Sequence, residues 1–330
     1  MTETGVIPEK AENVIIQAGA FSATVLPELG GKIGSIRIGD EELLQAPLAP
    51  YGPRTRTMSF DTGDASGWDE CLPSVAGCEI VTATGEIVSV PDHGDLWRVA
   101  WTEVREQGSG NRDQESDRRS ITLRAECFSL PLELQRTMTL TESEQGWQLR
   151  LDYTLTNKGA KATPWAWSVH PGFAAESGDR VILPGSITTL TLEGSGGGRL
   201  GQNGDLVNWP IATTISGEQT DLSIGHAPET CYGDKLFAGP LTSSENWCVL
   251  ERPRAGVRIR MRFDAAEMPY LGLWICYGGW PDRAGTKQNC VAIEPTTAPV
   301  DSLAIAGPWS RTLAAGASYK WTLFTDFERL

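Results

Sequence analysis

In Trp147-Gln148-Leu149-Arg150-Leu151-Asp152-Tyr153-Thr154-Leu155 every odd position is apolar and every even one polar. A chain with that period has one face for a core and one for water, which is the pattern of a half-buried β-strand and not of a helix. Leu132-Glu133-Leu134-Gln135-Arg136-Thr137-Met138-Thr139-Leu140 has mainly apolar even positions, and Val257-Arg258-Ile259-Arg260-Met261-Arg262-Phe263 alternates in the same way. The arginines of the last segment read as a solvated or ion-paired sheet face. Shorter strands are expected at 14–16, 22–26, 33–38, 87–90, 99–104, 121–127, 181–183, 248–251, 270–276, 290–293 and 319–324. No segment longer than about ten residues repeats with the 3.6-residue period of a helix. The expectation is an all-β chain, a large antiparallel β-sandwich with its sheets packed face to face.

Two loops interrupt the strands, a charged one at 107–120 and a glycine-rich one at 193–205. The glycine run Gly194-Ser195-Gly196-Gly197-Gly198 lacks the Lys-Ser/Thr ending of a phosphate loop and has no helix after it. No linker splits the 330 residues and no 20–50-residue repeat is visible, so residues 1–330 are expected to form a single domain. The net charge of −14, without a Lys/Arg cluster, would repel a phosphate backbone and speaks against a nucleic-acid partner. No apolar run approaches membrane-spanning length, and Met1-Thr2-Glu3-Thr4-Gly5 carries no signal-peptide core; a cytoplasmic protein with no membrane partner is expected. Seven scattered cysteines, an odd number, suit reduced thiols better than a disulfide framework. Oligomeric state is not legible.

Histidine is scarce, with three in the chain, so each one's surroundings carry weight. His93 lies in Pro91-Asp92-His93-Gly94-Asp95, between two acids and next to a glycine that permits close approach. His170 lies in Trp165-Ala166-Trp167-Ser168-Val169-His170-Pro171-Gly172, flanked by indoles and by a turn signal. Glu294 closes the apolar run Cys290-Val291-Ala292-Ile293 and precedes Pro295, an apolar setting that raises a carboxyl group's pKa toward that of a working base. Two imidazoles and a carboxylate suffice for general acid/base chemistry near neutral pH without a cofactor. His93, His170 and Glu294 could also form a two-histidine, one-carboxylate metal set, but no short-spaced histidine pair anchors one, and no metal is expected. His226, in Gly225-His226-Ala227-Pro228, reads as a turn. A serine hydrolase is disfavoured by the lack of a Gly-x-Ser-x-Gly elbow.

Taken in order, Thr24-Val25-Leu26-Pro27-Glu28-Leu29-Gly30-Gly31-Lys32-Ile33, Gly67-Trp68-Asp69-Glu70-Cys71-Leu72-Pro73, Asp92-His93-Gly94, Trp167-Ser168-Val169-His170-Pro171, Pro269-Tyr270-Leu271-Gly272-Leu273-Trp274 and Ile293-Glu294-Pro295 resemble the aldose 1-epimerases, the galactose mutarotase-like proteins. The resemblance spans nearly the whole chain and rests on the ordered set. It implies a large β-sandwich with an open cleft and a small-molecule carbohydrate substrate. It further implies that Glu294 is the base at the anomeric hydroxyl, that His170 is the acid at the ring oxygen, and that His93 holds the ring oxygen or a neighbouring hydroxyl. Asp234, in Gly233-Asp234-Lys235-Leu236-Phe237, is similar to an aspartate that fixes a sugar hydroxyl.

One departure is plain. Family members acting on free galactose or glucose usually carry an Asn-Arg pair shortly before the first histidine, where this chain has Trp68-Asp69-Glu70. Asp69 and Glu70 are therefore candidate substrate contacts, and their charge weakens a hexose-phosphate reading that Arg54 and Arg56 could restore. His170 and Glu294 are expected to face each other across a gap wide enough for a pyranose ring. Sugar C–H faces pack on indoles, so at least one of Trp68, Trp97, Trp167 and Trp274 should border that gap. The sequence reading is an aldose 1-epimerase-like isomerase. Its alternatives are a hexose-phosphate 1-epimerase and a non-catalytic carbohydrate-binding protein on the same fold.

Overall fold

A computed structural model describes residues 13–63, 65–105 and 118–330. Most of the expected 107–120 loop lies outside the described residues. The alternating segments pair as the period requires. Leu132–Ser143 and Gly146–Asn157 form a twelve-residue antiparallel ladder, and Ser318–Arg329 pairs on the far side of the second strand. These strands belong to an eight-stranded sheet that also holds Arg180–Ile182, Trp247–Arg252, Val257–Phe263, Ser120–Glu126 and Thr102–Glu103. On its outer face Arg258 pairs with Glu251 and Arg262 with Asp326, so the arginine stripe is an ion-paired surface.

A second, eleven-stranded sheet covers the apolar face of the first. Across it run Val14–Ala18, Phe21–Leu26, Lys32–Ile38, Trp68–Cys71, Ser168–Ala174, Asn289–Thr296, Tyr270–Tyr277, Tyr232–Ala238, Thr189–Ser195 and Leu206–Asn208, with the short Glu41–Glu42 paired to Lys32–Ile38 as the eleventh. Leu149, Leu151 and Leu155 of the first sheet meet Trp68, Val169 and Ile293 of the second in one contiguous core. Each such side chain contributes roughly 1.5–3 kcal/mol by leaving water. Phe21 packs on Phe327 from sheet to sheet, ring centroids 4.9 Å apart. The described residues hold one short α-helix, Phe60–Gly63, and no helix long and apolar enough to cross a membrane. All seven cysteines are free.

One core position breaks the apolar rule. Arg136 points inward from the middle of its strand with a fully buried side chain, and Glu70 comes from the opposite sheet to meet it. Glu70 Oε1 accepts from Arg136 Nη1 at 2.9 Å and from Tyr153 Oη at 2.8 Å, while Oε2 accepts from Trp167 Nε1 at 2.9 Å. Burial raises the Glu70 carboxyl above its ordinary value, and the three donors, one of them the Arg136 cation, work against that cost by hydrogen-bonding both oxygens. This node ties the two sheets together under the site.

The glycine-rich region departs from expectation in part: the strand Thr189–Ser195 runs into it, and a single 3₁₀ turn at Gly196–Gly198 follows.

Candidate active site

Strands at the centre of the eleven-stranded sheet are buried on both faces, so their sequences do not alternate, yet the pleat still sends neighbours to opposite sides. Cross-strand partners share a face. His170 pairs with Asp69, Glu294 with Gly272, Gly272 with Phe237, and Trp274 with Lys235. The pairs Ser168–Thr296 and Gly172–Ala292 set His170 beside Glu294. Register thus gathers Asp69, His170, Glu294, Trp274 and Lys235 on the side facing away from the inter-sheet core.

Two glycines make space there. A Cβ on Gly272 would lie 3.1 Å from Glu294 Oε2, and one on Gly233 would lie 2.8 Å from the Trp274 ring. The first leaves room for the carboxylate and the second for the indole.

The resulting cavity holds about 250 Å³. That suits a ligand smaller than the drug-sized molecules of typical pockets, roughly 300–1,000 Å³. His170, Lys235, Trp274, Gln288 and Asp301 form one part of its wall; Phe60, Val75, Ala76, Asp92, His93 and Trp280 form the other. Glu294 is fully buried and lies outside the wall, in contact with His170 and Lys235, which belong to it. His170 Nε2 stands 3.6 Å from Glu294 Oε1, and Lys235 Nζ binds Glu294 Oε2. Glu294 Oε1 is buried with no hydrogen-bond donor among the described residues. Lys235 Nζ also lies 3.6 Å from Asp301 Oδ1.

Electrostatics follow from these contacts. Burial, followed by the charges of His93 and Lys235, holds His170 well below the usual histidine value, so its resting imidazole is neutral. Burial pushes Lys235 down, but Asp301 and Glu294 outweigh it and hold the ammonium above its ordinary value. Burial raises Asp301, against the pull of Lys235. Asp92 is likewise pushed up by burial, yet its hydrogen bond with His93 brings it below the ordinary carboxylate range.

His93 is held by its neighbours on three sides. Its φ of 58° is left-handed, in the turn that Gly94 continues, and its backbone N–H donates to Val75. Its Nδ1 lies 2.8 Å from Asp92 Oδ2, and its ring stacks on Phe60 with centroids 3.7 Å apart. The His93 and His170 ring centroids are 5.4 Å apart. The Trp274 indole is fixed by donating to Gln288 Oε1 at 2.8 Å.

Several sequence expectations are corrected. His170 and Glu294 do not face each other across a pyranose-wide gap; they sit side by side on adjacent strands. Trp68, Glu70 and Trp167 do not line the cavity, because they face the inter-sheet core. Asp234 also points to the core side, where Ser195 Oγ donates at 2.6 Å and Arg199 Nε at 3.0 Å. Asp69 shares the cavity face but is ion-paired with Lys32 and lies outside the wall. Trp97 is fully buried, edge-on beneath Phe60. Of the indoles considered, Trp274 borders the cavity. Phe60, Lys235, Trp280, Gln288 and Asp301 were not anticipated. For Lys235 a signal existed, since it is adjacent to Asp234 and therefore had to face the other way.

The aldose 1-epimerase family model matches residues 74–324. The chain belongs to the aldose 1-epimerase family. No curated protein matches the sequence significantly. Among solved structures, the chain is similar to the Slr1438 protein of Synechocystis, with a TM-score of 0.68 at 16% identity over 100% of both chains. A galactose mutarotase-like protein of Lactobacillus casei gives 0.64 at 18% identity over 96% of this chain and 100% of the other. Another, from Clostridium acetobutylicum, gives 0.59 at 14% identity over 96% and 95%. At these identities the likeness establishes that this aldose 1-epimerase family member has the galactose mutarotase-like β-sandwich.

Proposed function

We propose that this chain interconverts the α and β anomers of a free, unphosphorylated sugar, with Glu294 and His170 sharing the proton that moves. The observation that carries the reading is the Glu294 Oε1 atom, a buried acceptor without a donor, 3.6 Å from the Nε2 atom of His170, which lines a sugar-sized cavity. In a pyranose, O1 and O5 are bonded to the same carbon. A base and an acid set side by side therefore match the two atoms that must lose and gain a proton.

The reactive state carries one proton on the pair, at His170. Glu294 takes the proton from O1–H as His170 gives its own to O5. The O1–C1 bond becomes a carbonyl and the C1–O5 bond breaks. The shared proton count is unchanged, and rotation about C1–C2 followed by the reverse transfers closes the ring on the other face. Burial makes the His170 imidazolium scarce, and for the same reason a strong acid when formed. In this reading His93, oriented by Asp92 and Phe60, donates to a ring or hydroxyl oxygen, and Trp274 meets the C–H face of the sugar.

Charge favours an unphosphorylated substrate. Lys235 is the one Lys or Arg among the described wall residues, and it is committed to Glu294 and Asp301. A phosphate would meet Asp92 and Asp301 with no uncommitted cation to offset its desolvation.

Anomer exchange followed by NMR over common aldoses and their 6-phosphates, with the enzyme-free rate subtracted, tests the proposal. Glu294→Gln and His170→Asn are each expected to lower kcat by about 10²–10⁴ while sugar binding changes much less. Wild-type protein that binds sugars without accelerating exchange on any of them would overturn the enzymatic reading, and faster exchange of the phosphates would overturn the substrate class.

A further inference from the structure

Glu294 presents a difficulty that its neighbours resolve. The carboxylate is fully buried, capped at Oε2 by the Lys235 ammonium and bordered at Oε1 by His170. No atom of Glu294 reaches the cavity wall, so even the unpaired Oε1 meets a sugar hydroxyl only if His170 or Lys235, which stand in that wall, moves aside. His170 is held in a central strand, whereas Lys235 carries its charge on a flexible four-carbon stem and forms part of the cavity wall.

A second seat for that charge lies beside the first. Asp301 Oδ1 is buried in the same wall, 3.6 Å from Lys235 Nζ, beyond hydrogen-bond range, and no donor reaches it among the described residues. Asp301 is itself fixed through its backbone: its carbonyl accepts from Val75 N–H at 3.0 Å, Ala76 N–H at 2.8 Å and Ser74 Oγ at 3.1 Å.

We propose that Lys235 is a movable counter-ion, seated on Glu294 in the free site and transferred to Asp301 when a sugar enters, so that Glu294 is uncapped only in the presence of ligand. The inference rests on the reading of Glu294 as the group that contacts O1. The first displacement of about 1 Å brings Nζ from 3.6 Å into ordinary hydrogen-bond distance of Asp301, and further rotation of the four-carbon stem carries it off Glu294 Oε2. In either seat the ammonium has a carboxylate partner, and the buried Glu294 carboxylate that it leaves takes the entering sugar hydroxyl as its hydrogen-bond donor, so no charge in this interior is left without a polar partner. The groups facing Lys235 are consistent with both seats: Glu294 and Asp301 supply opposite charge, and the Phe237 ring centroid lies 5.3 Å from Nζ, a cation–π contact. Lys235 and Asp301 are thus positioning residues for Glu294.

The test is a double-mutant cycle read by NMR anomer exchange, with D-glucose and D-galactose as probes. Asp301→Asn keeps the shape of the seat and removes its charge. It is expected to raise KM about tenfold or more, with a smaller change in kcat, because the sugar must then break the Lys235–Glu294 pair with no receiving carboxylate. In a Lys235→Met background, where no cation needs a seat, Asp301→Asn should have no further effect. Equal effects in both backgrounds would mean that Asp301 contacts the sugar directly and would overturn the proposal; so would no effect of Asp301→Asn in the wild-type background. Crystals of the wild-type protein soaked with either sugar give a readout that does not depend on any variant folding: Lys235 Nζ should lie within hydrogen-bond distance of Asp301. A bound sugar with Lys235 still seated on Glu294 overturns the transfer. Glu294→Gln separates the two levels of the argument, since full activity in that variant would sink the assignment of Glu294 itself, whatever the cycle shows.

Discussion

Glu70→Gln is expected to unfold this protein far more readily while leaving its site intact. Arg136 is fully buried and its guanidinium is paired with Glu70 across the two sheets. Replacing the carboxylate by an amide keeps the shape but strands that charge in a low-dielectric core, a change that costs about 3–5 kcal/mol. The loss of an acceptor adds to the penalty, because the carboxylate satisfies Arg136, Tyr153 and Trp167 through two oxygens, and an amide offers one. An unsatisfied buried donor costs about 1–3 kcal/mol, overlapping with the first figure. With total stabilities of about 5–15 kcal/mol, a loss of this size consumes a large fraction of the whole. Urea unfolding followed by tryptophan fluorescence should show the midpoint fall with little change in slope. In buffer where the variant remains folded, kcat/KM should stay within a few-fold of wild type, since Glu70 is separated from the cavity by the thickness of its own strand. Replacing the pair together, Glu70→Leu with Arg136→Met, should recover much of the loss, because no charge is then stranded. A Glu70→Gln protein of wild-type stability, or one that is stable but has lost activity a hundredfold, would refute the assignment of Glu70 to the core.

Two further outcomes follow from the site. The unfolded chain takes up a proton on His170 near pH 6.5 that the folded protein excludes, because burial above all, then His93 and Lys235, disfavour the imidazolium. Stability therefore rises with pH through that value and is lost as pH falls below it, by up to about 1.4 kcal/mol per pH unit for this one group; comparing urea midpoints of wild type and His170→Gln at pH 5.5 and 7.5, the variant should show the shallower fall, and parallel falls would contradict the assignment. Gly272→Ala sets a methyl group 3.1 Å from Glu294 Oε2 and 3.1 Å from the Phe237 ring, which should cost about 1–3 kcal/mol of stability and lower kcat disproportionately by turning the carboxylate; unchanged anomer-exchange kinetics would mean that the orientation of Glu294 is not set there.

The all-β fold, the long alternating strands and the solvated or ion-paired arginine stripe were legible because those strands have one wet face and one dry face, and alternation writes that difference into the sequence. His93, His170 and Glu294 stood out because histidine is rare in this chain and because a carboxylate at the end of an apolar run is conspicuous. Trp274 was anticipated only as one indole among four. The strands Trp68–Cys71, Ser168–Ala174 and Tyr232–Ala238, which carry much of the site, had no readable period: both of their faces are buried, and polar groups occupy the side where an apolar residue would have marked the pattern.

What the sequence determined by itself was therefore the class of fold and the chemical types available for catalysis. What only the tertiary structure decided was the face each residue occupies. Asp69 and Glu70 are adjacent carboxylates that appear equivalent in sequence, yet one lies on the cavity side with Lys32 and the other lies in the core with Arg136. Asp234 and Lys235 divide in the same way, Asp234 to the core with Ser195 and Arg199, Lys235 to the cavity with Glu294. The physical reason is the period of the strand: neighbouring side chains always point to opposite faces, but which face becomes core is fixed by register with strands distant in sequence, as in the pairs Asp69–His170 and Lys235–Trp274, and a one-residue slip would exchange every assignment.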